Sequence, residues 1–307
     1  MKKVLLTGAT GFLGSHLLEA LLEQGNQVSI LKRTSSDTWR IKHLMDEVTA
    51  FDVDIQPLDD AFKAHKFDAV IHTACSYGRL GEPAHRVAET NLLFSLRLLD
   101  AATFFNTDTF FNTDTLLPKY LNAYSLSKKQ FTEWLRQRSN EIKVVNMKLE
   151  HVYGPKDDQT KFVPWLISQL RQGVERIPLT EGKQLRDFIY VDDVVAAYLL
   201  ALKKSAQLPQ FNEFDVGTGI KTSVKSFVEQ IFSKFKAENP STNTRLGFGD
   251  LPLRQGEMMS IEVDNFALKS LGWNPLYSIE LGLKRTVMAS ERSAEPGEQN
   301  SSNPIKN

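Results

Sequence analysis

Residues 3–25 read KVLLTGATGFLGSHLLEALLEQG. The opening KVLLTG is a short apolar run ended by glycine, which suits a buried parallel strand. GSHLLEALLEQG then places apolar residues at helical spacing and stops at Gly25, a suitable helix end. Between them lies TGATGFLG, residues 7–14. Gly8 and Gly11 allow a tight turn and close backbone approach, and Gly14 lets the helix pack on the sheet. The helix N-terminus then offers amides and a positive dipole end to a pyrophosphate. Strand, glycine turn and helix in this order predict a dinucleotide site, with Thr10, Phe12 and Leu13 in the turn beside the glycines.

The pattern continues outward. QVSILKR is a second strand, VTAFDVD a third, FDAVIHTAC a fourth and VVNMKL a later one. Helices are expected over 91–102, with Leu92, Leu93, Leu96 and Leu99 on one stripe, and over 124–138. Strands alternating with helices predict an α/β, doubly wound parallel sheet of Rossmann type. Residues 1–150 form its domain, with a return segment near 188–217. Past 150 the pattern is less regular, with YGP, IPL, GTG and LPL marking turns. A smaller C-terminal α/β substrate-binding region is expected over 151–289. The polar stretch 290–307 reads as a disordered tail.

Composition narrows the class. A chain of 307 residues with 41% hydrophobic and 24% charged residues is an ordinary globular protein. Lys plus Arg (37) equals Asp plus Glu (37), so no bulk field recruits nucleic acid or an anionic membrane. The single cysteine, Cys75, excludes an internal disulfide and fits a reducing cytoplasm. The apolar run in MKKVLLTGATG is broken by glycines, unlike a signal peptide. No stretch approaches the roughly 18 apolar residues of a membrane span. A soluble, cytoplasmic protein without a metal site is expected.

The end of the second strand selects the cofactor. A carboxylate there would bind the ribose hydroxyls of NAD, whereas basic groups accommodate the extra phosphate of NADP. Lys32 and Arg33 stand there beside Thr34 and Ser35, with no acid until Asp37. NADP(H) is therefore expected over NAD(H). Asp52, followed by Val53, either holds the adenine amino group or is a turn acid. Tyr124 and Lys128 lie four apart on one helix face. A nearby ammonium would stabilise the phenolate and lower the tyrosine pKa toward neutrality. The tyrosine could then exchange a proton with a sugar or alcohol oxygen while the nicotinamide exchanges hydride with the attached carbon.

TGATGFLG, DAVIHTA, Asn91, YSLSK, VYGP, RDFIYVDD, VGTG and RQGE…LGWNP stand in one order along residues 2–287. In this the chain resembles the extended short-chain dehydrogenase/reductases, specifically the NAD-dependent epimerase/dehydratase group that acts on nucleotide sugars. The resemblance implies that Tyr124 is the proton donor and that Lys128 activates it and binds the nicotinamide ribose. Thr73 and Ala74 would line the cofactor's path. Arg186 and Arg254 would grip the substrate's pyrophosphate, for which guanidinium forks are suited. His151 stands where many relatives have an asparagine facing the substrate. The helices bearing Asn91 and Tyr124 resemble a pair that builds a homodimer in relatives.

The family also places a hydroxyl beside the tyrosine, and here the chain repeats itself as FFNTDTFFNTDT, residues 104–115. Relatives separate the acidic end of the preceding helix motif from that hydroxyl by about thirteen to fifteen residues. Counted from Asp100, Thr113 and Thr115 satisfy this, so the first copy is assigned to the helix end and the connection. Thr113 is the better match to the STD element of reductases and dehydratases. Thr115 is the alternative if the CDP-hexose reductases are the comparison. Thr115 also occupies the place where 4,6-dehydratases carry a glutamate, and without it the elimination lacks its base. NTDT, KLEHVYGP, QLRDFIYVDDVV and VGTG resemble the abequose/paratose synthase type of CDP-sugar 4-ketoreductase. The expectation is NADPH-dependent reduction of a nucleotide-linked 4-keto-(di)deoxyhexose for O-antigen sugars. The alternatives are a C4 epimerase with tightly bound NAD and a catalytically silent NADP-binding regulator on the same fold.

Overall fold

In the computed structural model, which describes residues 1–254 and 256–292, the opening segment forms strand β1 (Lys3–Thr7) and helix α1 (Phe12–Glu23). Val4, Leu5 and Leu6 are fully buried, as are Leu17, Leu18 and Leu21. Consecutive buried apolar residues mean a sheet covered on both faces, each buried leucine contributing roughly 1.5–3 kcal/mol. The helix stops where Gly25 takes a φ of +72°. Its N–H donates to Leu22 O at 2.8 Å and that of Asn26 to Leu21 O at 3.1 Å, closing the helix end as a left-handed glycine does.

The alternation continues through β2 (Gln27–Lys32), β3 (Thr49–Asp52), α2 (Asp59–Ala64) and β4 (Ala69–His72). Next, α3 (Ala84–Ala88) runs through a π-helical turn at Glu89–Phe94 into α4 (Ser95–Phe104). A π turn holds more residues than an α turn and so rotates the side chains that follow. Asn91, Ser95, Leu98, Leu99 and Ala102 are buried, whereas Leu93 is 52% exposed. The expected stripe is corrected accordingly: Leu99 belongs to it, Leu92 and Leu96 pack at its margin and Leu93 lies outside.

After α4 come β5 (Thr109–Thr115), α5 (Ala123–Gln137) and β6 (Lys143–Leu149). The two copies of FFNTDT take different structures. In the first, Asn106 has a φ of 55°, and the N–H groups of Asn106 and Thr107 donate to Thr103 O at 3.1 Å and Ala102 O at 2.9 Å. That pair of bonds ends α4. The second copy, Phe110–Thr115, lies within the strand.

The chain then builds β7 (His151–Tyr153), α6 (Phe162–Arg171), β8 (Arg176–Leu179), β9 (Leu185–Arg186) and β10 (Phe188–Tyr190). It returns with α7 (Val191–Lys204) and β11 (Phe211–Val216). It continues with β12 (Thr222–Ser223), α8 (Val224–Glu238), β13 (Arg245–Phe248), α9 (Phe266–Ser270) and α10 (Ile279–Arg292).

Seven strands form one parallel sheet in the order β11-β6-β5-β4-β1-β2-β3. The order reverses between β1 and β4, and an open α/β sheet takes its ligand at the carboxyl ends of the strands at such a switch point.

Two units divide the described chain. The first comprises 1–150, 191–219 and 263–274, and the second 151–190, 220–262 and the stretch from 275. Residues 263–274, expected in the substrate region, thus group with the sheet. There Asn265 Nδ2 donates to Gly217 O at 2.8 Å and Trp273 Nε1 to Asp193 O at 3.0 Å. In the second unit β7 pairs with β10, β13 with β8 and β12 with β9. Phe188 and Phe227 stack at 3.6 Å in its core. Helix α10 runs through Arg292, into the stretch expected to be a tail, and the remainder of that stretch, 293–307, lies outside the described residues. Among the described residues no helix is long and apolar enough to cross a membrane.

Candidate active site

The glycine turn lies at the switch point. Gly8 follows β1 with a φ of +74°, and a Cβ there would come within 2.6 Å of Thr73 Oγ1 and 2.7 Å of Ala74 N, just past β4. A Cβ on Gly14 would lie 2.0 Å from Gly8 O. Gly11 N–H closes the turn on Gly8 O at 2.9 Å, and no side chain caps α1 behind it. Thr73 holds the end of β4 to β1, its hydroxyl donating to Thr7 O at 2.8 Å. A helix start approached this closely by backbone fits a pyrophosphate. Thr10, Phe12 and Leu13 stand in the turn and first helical positions, all half-buried.

At the end of β2 one expectation changes. Lys32 Nζ is paired with Asp52 Oδ2 at 2.9 Å, and the Thr34 hydroxyl donates to the same oxygen at 3.0 Å. Partial burial opposes ionisation of Asp52, but the bonds from Lys32, the Asp54 amide and Thr34 hold its carboxyl below its ordinary pKa. Lys32 therefore serves Asp52, and Arg33, exposed, is the base that faces outward. Val53 N–H donates to Lys32 O at 2.9 Å, tying β3's end to β2.

Tyr124 and Lys128 occupy the first two turns of α5. Asn122 caps the helix, its side chain accepting from Ser125 N at 2.9 Å while Ser125 Oγ accepts from Asn122 N at 3.2 Å. That capping box fixes where the tyrosine points. Lys128 is buried, and its Nζ has no hydrogen-bond partner among the described residues. An ammonium buried without acceptors costs several kcal/mol, and ribose hydroxyls are the acceptors such a group would take. Burial pushes its pKa down, while Cys75 and Asp114 act against that.

The tyrosine differs from expectation. Burial lifts the Tyr124 phenol well above its ordinary pKa, and its neighbours Cys75 and Asp114 add to the rise. Arg79 and a hydrogen bond with the Thr115 side chain act in the opposite sense. At neutral pH the phenol therefore carries its proton. The Tyr77 ring covers it at 4.9 Å, with the Arg79 guanidinium over Tyr77 at 5.1 Å.

The two threonines of the second copy have different partners. Thr113 Oγ1 shares a 2.7 Å hydrogen bond with Tyr198 OH on α7, so it is committed away from the tyrosine. Thr115 is the threonine whose side chain acts on the Tyr124 phenol. Between them Asp114 is buried, its Oδ2 accepting from Lys129 Nζ at 3.0 Å, Thr132 Oγ1 at 3.1 Å and Asn146 Nδ2 at 3.2 Å. Its Oδ1 accepts from Thr115 N at 2.7 Å, and Lys129 Nζ also donates to Thr115 O. This clamp of Asp114 and Lys129 fixes the strand end against α5. The acid of NTDT and the lysine after Lys128 were its traces in the sequence.

Behind the lysine, His72 is buried between Thr7 Oγ1 (2.7 Å from Nδ1) and Ser95 Oγ (2.8 Å from Nε2). Ser95 Oγ donates to Asn91 O at 2.9 Å, so it accepts from Nε2–H and leaves Nδ1 to accept from Thr7. Asn91 in turn grips the loop after β4, donating to Ser76 O at 2.8 Å and to Ser127 Oγ at 3.0 Å, and accepting from Ser76 N at 2.7 Å.

In the second unit Arg186 is buried and donates to Glu257 Oε1 at 2.7 Å, joining the RDFIY and RQGE motifs. Arg254 is exposed, and His151, also exposed, packs edge-on against Phe188 at 5.8 Å.

Sheet order, glycine turn and the tyrosine–lysine pair together define a nicotinamide-dinucleotide-dependent oxidoreductase. The sequence model of the NAD dependent epimerase/dehydratase family matches residues 4–217, and the chain belongs to that family. It is 33% identical over 297 residues to CDP-abequose synthase of Salmonella typhimurium, an alignment covering 92% of this chain and 97% of that one. A UDP-glucose 4-epimerase structure with UDP-glucose, from Thermotoga maritima, superposes with a TM-score of 0.82 at 25% identity, covering 95% of this chain and 100% of the other. A Thermus thermophilus UDP-glucose 4-epimerase in complex with NAD has the same fold, with a TM-score of 0.79 at 23% identity and coverage of 95% and 100%. The fold expected from the sequence is the fold observed, and the chain is an NAD(P)-dependent enzyme.

Proposed function

We propose that this enzyme uses NADPH to reduce the 4-keto group of a nucleotide-linked 4-keto-deoxyhexose, with a CDP-linked 4-keto-3,6-dideoxyhexose as the leading candidate. The observation that carries this reading is Tyr124 one helical turn before Lys128 on α5, with the buried Lys128 Nζ lacking a hydrogen-bond partner among the described residues. Likeness to CDP-abequose synthase over most of both chains supports the substrate class. The reduced nicotinamide, when bound, supplies the hydride. The protein's part is to deliver a proton. As charge grows on the carbonyl oxygen, Tyr124 gives up its phenolic proton to it, and Thr115 orients that hydroxyl. Lys128 stabilises the phenolate left behind and would hold the nicotinamide ribose. The glycine turn would hold the pyrophosphate of the dinucleotide, and Arg33 its extra phosphate. Arg186 and Arg254 would meet the substrate's diphosphate, Arg186 with its guanidinium already oriented by Glu257.

A dehydratase is disfavoured because the residue after Asp114 is a threonine, and its hydroxyl is engaged with Tyr124. An epimerase shares the triad, and the likeness to UDP-glucose 4-epimerases keeps it as the second reading. The free thiol of Cys75 fits a cytoplasmic location. Exposed Leu93 and Trp134, on the π turn and on α5, suit a homodimer. Incubation with a panel of nucleotide 4-keto-6-deoxy sugars should consume NADPH and yield a single C4 epimer of the alcohol. Inversion of a 4-hydroxyl without NADPH consumption would establish the epimerase instead. Tyr124→Phe should bind NADPH normally and lose roughly 10²–10⁴-fold in turnover, the usual worth of a general acid.

A further inference from the structure

Arg40 belongs to none of the motifs above, yet the structure carries it to the glycine turn. The stretch after β2 is folded, not loose. Ser36 N–H donates to Arg33 O at 3.0 Å, Ser36 Oγ accepts from Arg33 N at 3.0 Å, and Ile41 N–H donates to Thr38 O at 2.9 Å. Ile41 is fully buried and anchors the far end. From there Arg40 Nη1 donates to Thr10 O at 3.2 Å, with its guanidinium over the Trp39 ring at 4.5 Å. Thr10 lies between Gly8 and Gly11. The segment therefore starts at the strand end that meets the adenosine ribose in this fold and finishes on the turn that meets the pyrophosphate. Arg33 stands at one end of the segment and Arg40 at the other.

We propose that Arg40 is a specificity-determining residue for the cofactor, gripping the 2′-phosphate of NADPH together with Arg33. This rests on the NADPH reading above and extends it to a residue that the sequence pattern did not offer. Lys32, the other base at the strand end, is committed to Asp52. A guanidinium stacked on an indole and hydrogen-bonded to the turn is held in one orientation, which suits a phosphate contact.

The test measures dissociation constants of NADPH and NADH on the full chain, from the fluorescence of the bound reduced nicotinamide. Displacement by 2′,5′-ADP, compared with displacement by 5′-AMP, isolates the 2′-phosphate. The wild type should prefer NADPH at least about tenfold, as one lost charge-assisted contact implies. Arg40→Met, which keeps an unbranched chain over Trp39, should weaken NADPH and 2′,5′-ADP about tenfold and leave NADH unchanged. Arg40→Lys, retaining the charge without the fork, should fall between. Equal weakening of NADPH and NADH would mean that Arg40 only braces the Thr10 turn, and the proposal would be overturned. An NADPH preference untouched by Arg40→Met would remove Arg40 and leave the NADPH reading standing. A wild type with no preference would overturn that reading itself.

Discussion

Thr113 and Thr115 sit two residues apart on β5 and share one side of the pleat, yet their hydroxyls serve different ends. Thr113 satisfies the buried Tyr198 hydroxyl, whereas Thr115 is held at the strand end by the Asp114 clamp, within reach of Tyr124. Thr115→Val should lower turnover by about 10–100-fold, the worth of a hydrogen bond of about 1.5–3 kcal/mol to a developing charge. Thr113→Val should instead leave Tyr198 unpaired and cost about 1–3 kcal/mol of stability with turnover of the folded enzyme nearly intact. Turnover and melting measured on both variants check this, and the opposite pattern would return the role to Thr113. His72 gives a pH prediction. Burial, with the Lys128 charge behind it, holds its pKa well below 6.5. The unfolded chain takes up a proton near 6.5 that the native chain refuses. The stability is therefore fully present above that pH and lost as pH falls, at up to about 1.4 kcal/mol per pH unit. In His72→Asn the decline in melting temperature between about pH 6.5 and 5 should be shallower.

At the scale of elements, the repeat shows how context overrides local sequence. Asn106 and Asn112 occupy the same place in identical hexapeptides, but one ends α4 in the left-handed region and the other lies in β5, bonded to Asn146 Oδ1 at 2.7 Å. Asn106→Gly should be neutral or slightly stabilising, because glycine adopts that conformation without penalty. Asn112→Gly removes a buried hydrogen bond and a side chain from a central strand and should cost a few kcal/mol. Chemical denaturation of the two variants makes the comparison. Breaking the clamp is a stronger intervention: Lys129→Met leaves the Asp114 carboxylate buried without its cation and should cost about 3–5 kcal/mol. The sheet was legible in the sequence because buried parallel strands are continuous apolar runs and glycine marks the helix ends. The position of the second FFNTDT copy was legible because α4 must end before β5 starts. What was not legible came from pairings between distant residues. Lys32 was read as a phosphate ligand because Asp52 is far along the chain. Thr113 was preferred for its match to the STD element, and nothing local reveals its bond to Tyr198. The α4 stripe slipped because a π turn leaves no mark in hydrophobic spacing.

For the molecule as a whole, binding and chemistry should be separable, because the sheet's switch point and the start of α5 contribute different groups. A ligand that binds only the native state stabilises it by RT ln(1 + [L]/Kd), about 2.7 kcal/mol at a hundredfold excess over Kd. For a chain of this size that is a rise of several degrees in melting temperature, taking about 2–4 °C per kcal/mol. The wild type and Tyr124→Phe should show the same rise with NADPH, since the phenol oxygen is asked for a proton and not for affinity. Gly14→Ala should lose the rise. Its Cβ would fall 2.0 Å from Gly8 O, and relief of that clash must push α1 away from the turn whose amides face the pyrophosphate. Because the clash is with backbone, no rotamer change can absorb it, and the apo variant should also melt lower. An apo variant that melts lower yet keeps the full NADPH shift would mean that the glycine turn packs the helix and does not bind the dinucleotide.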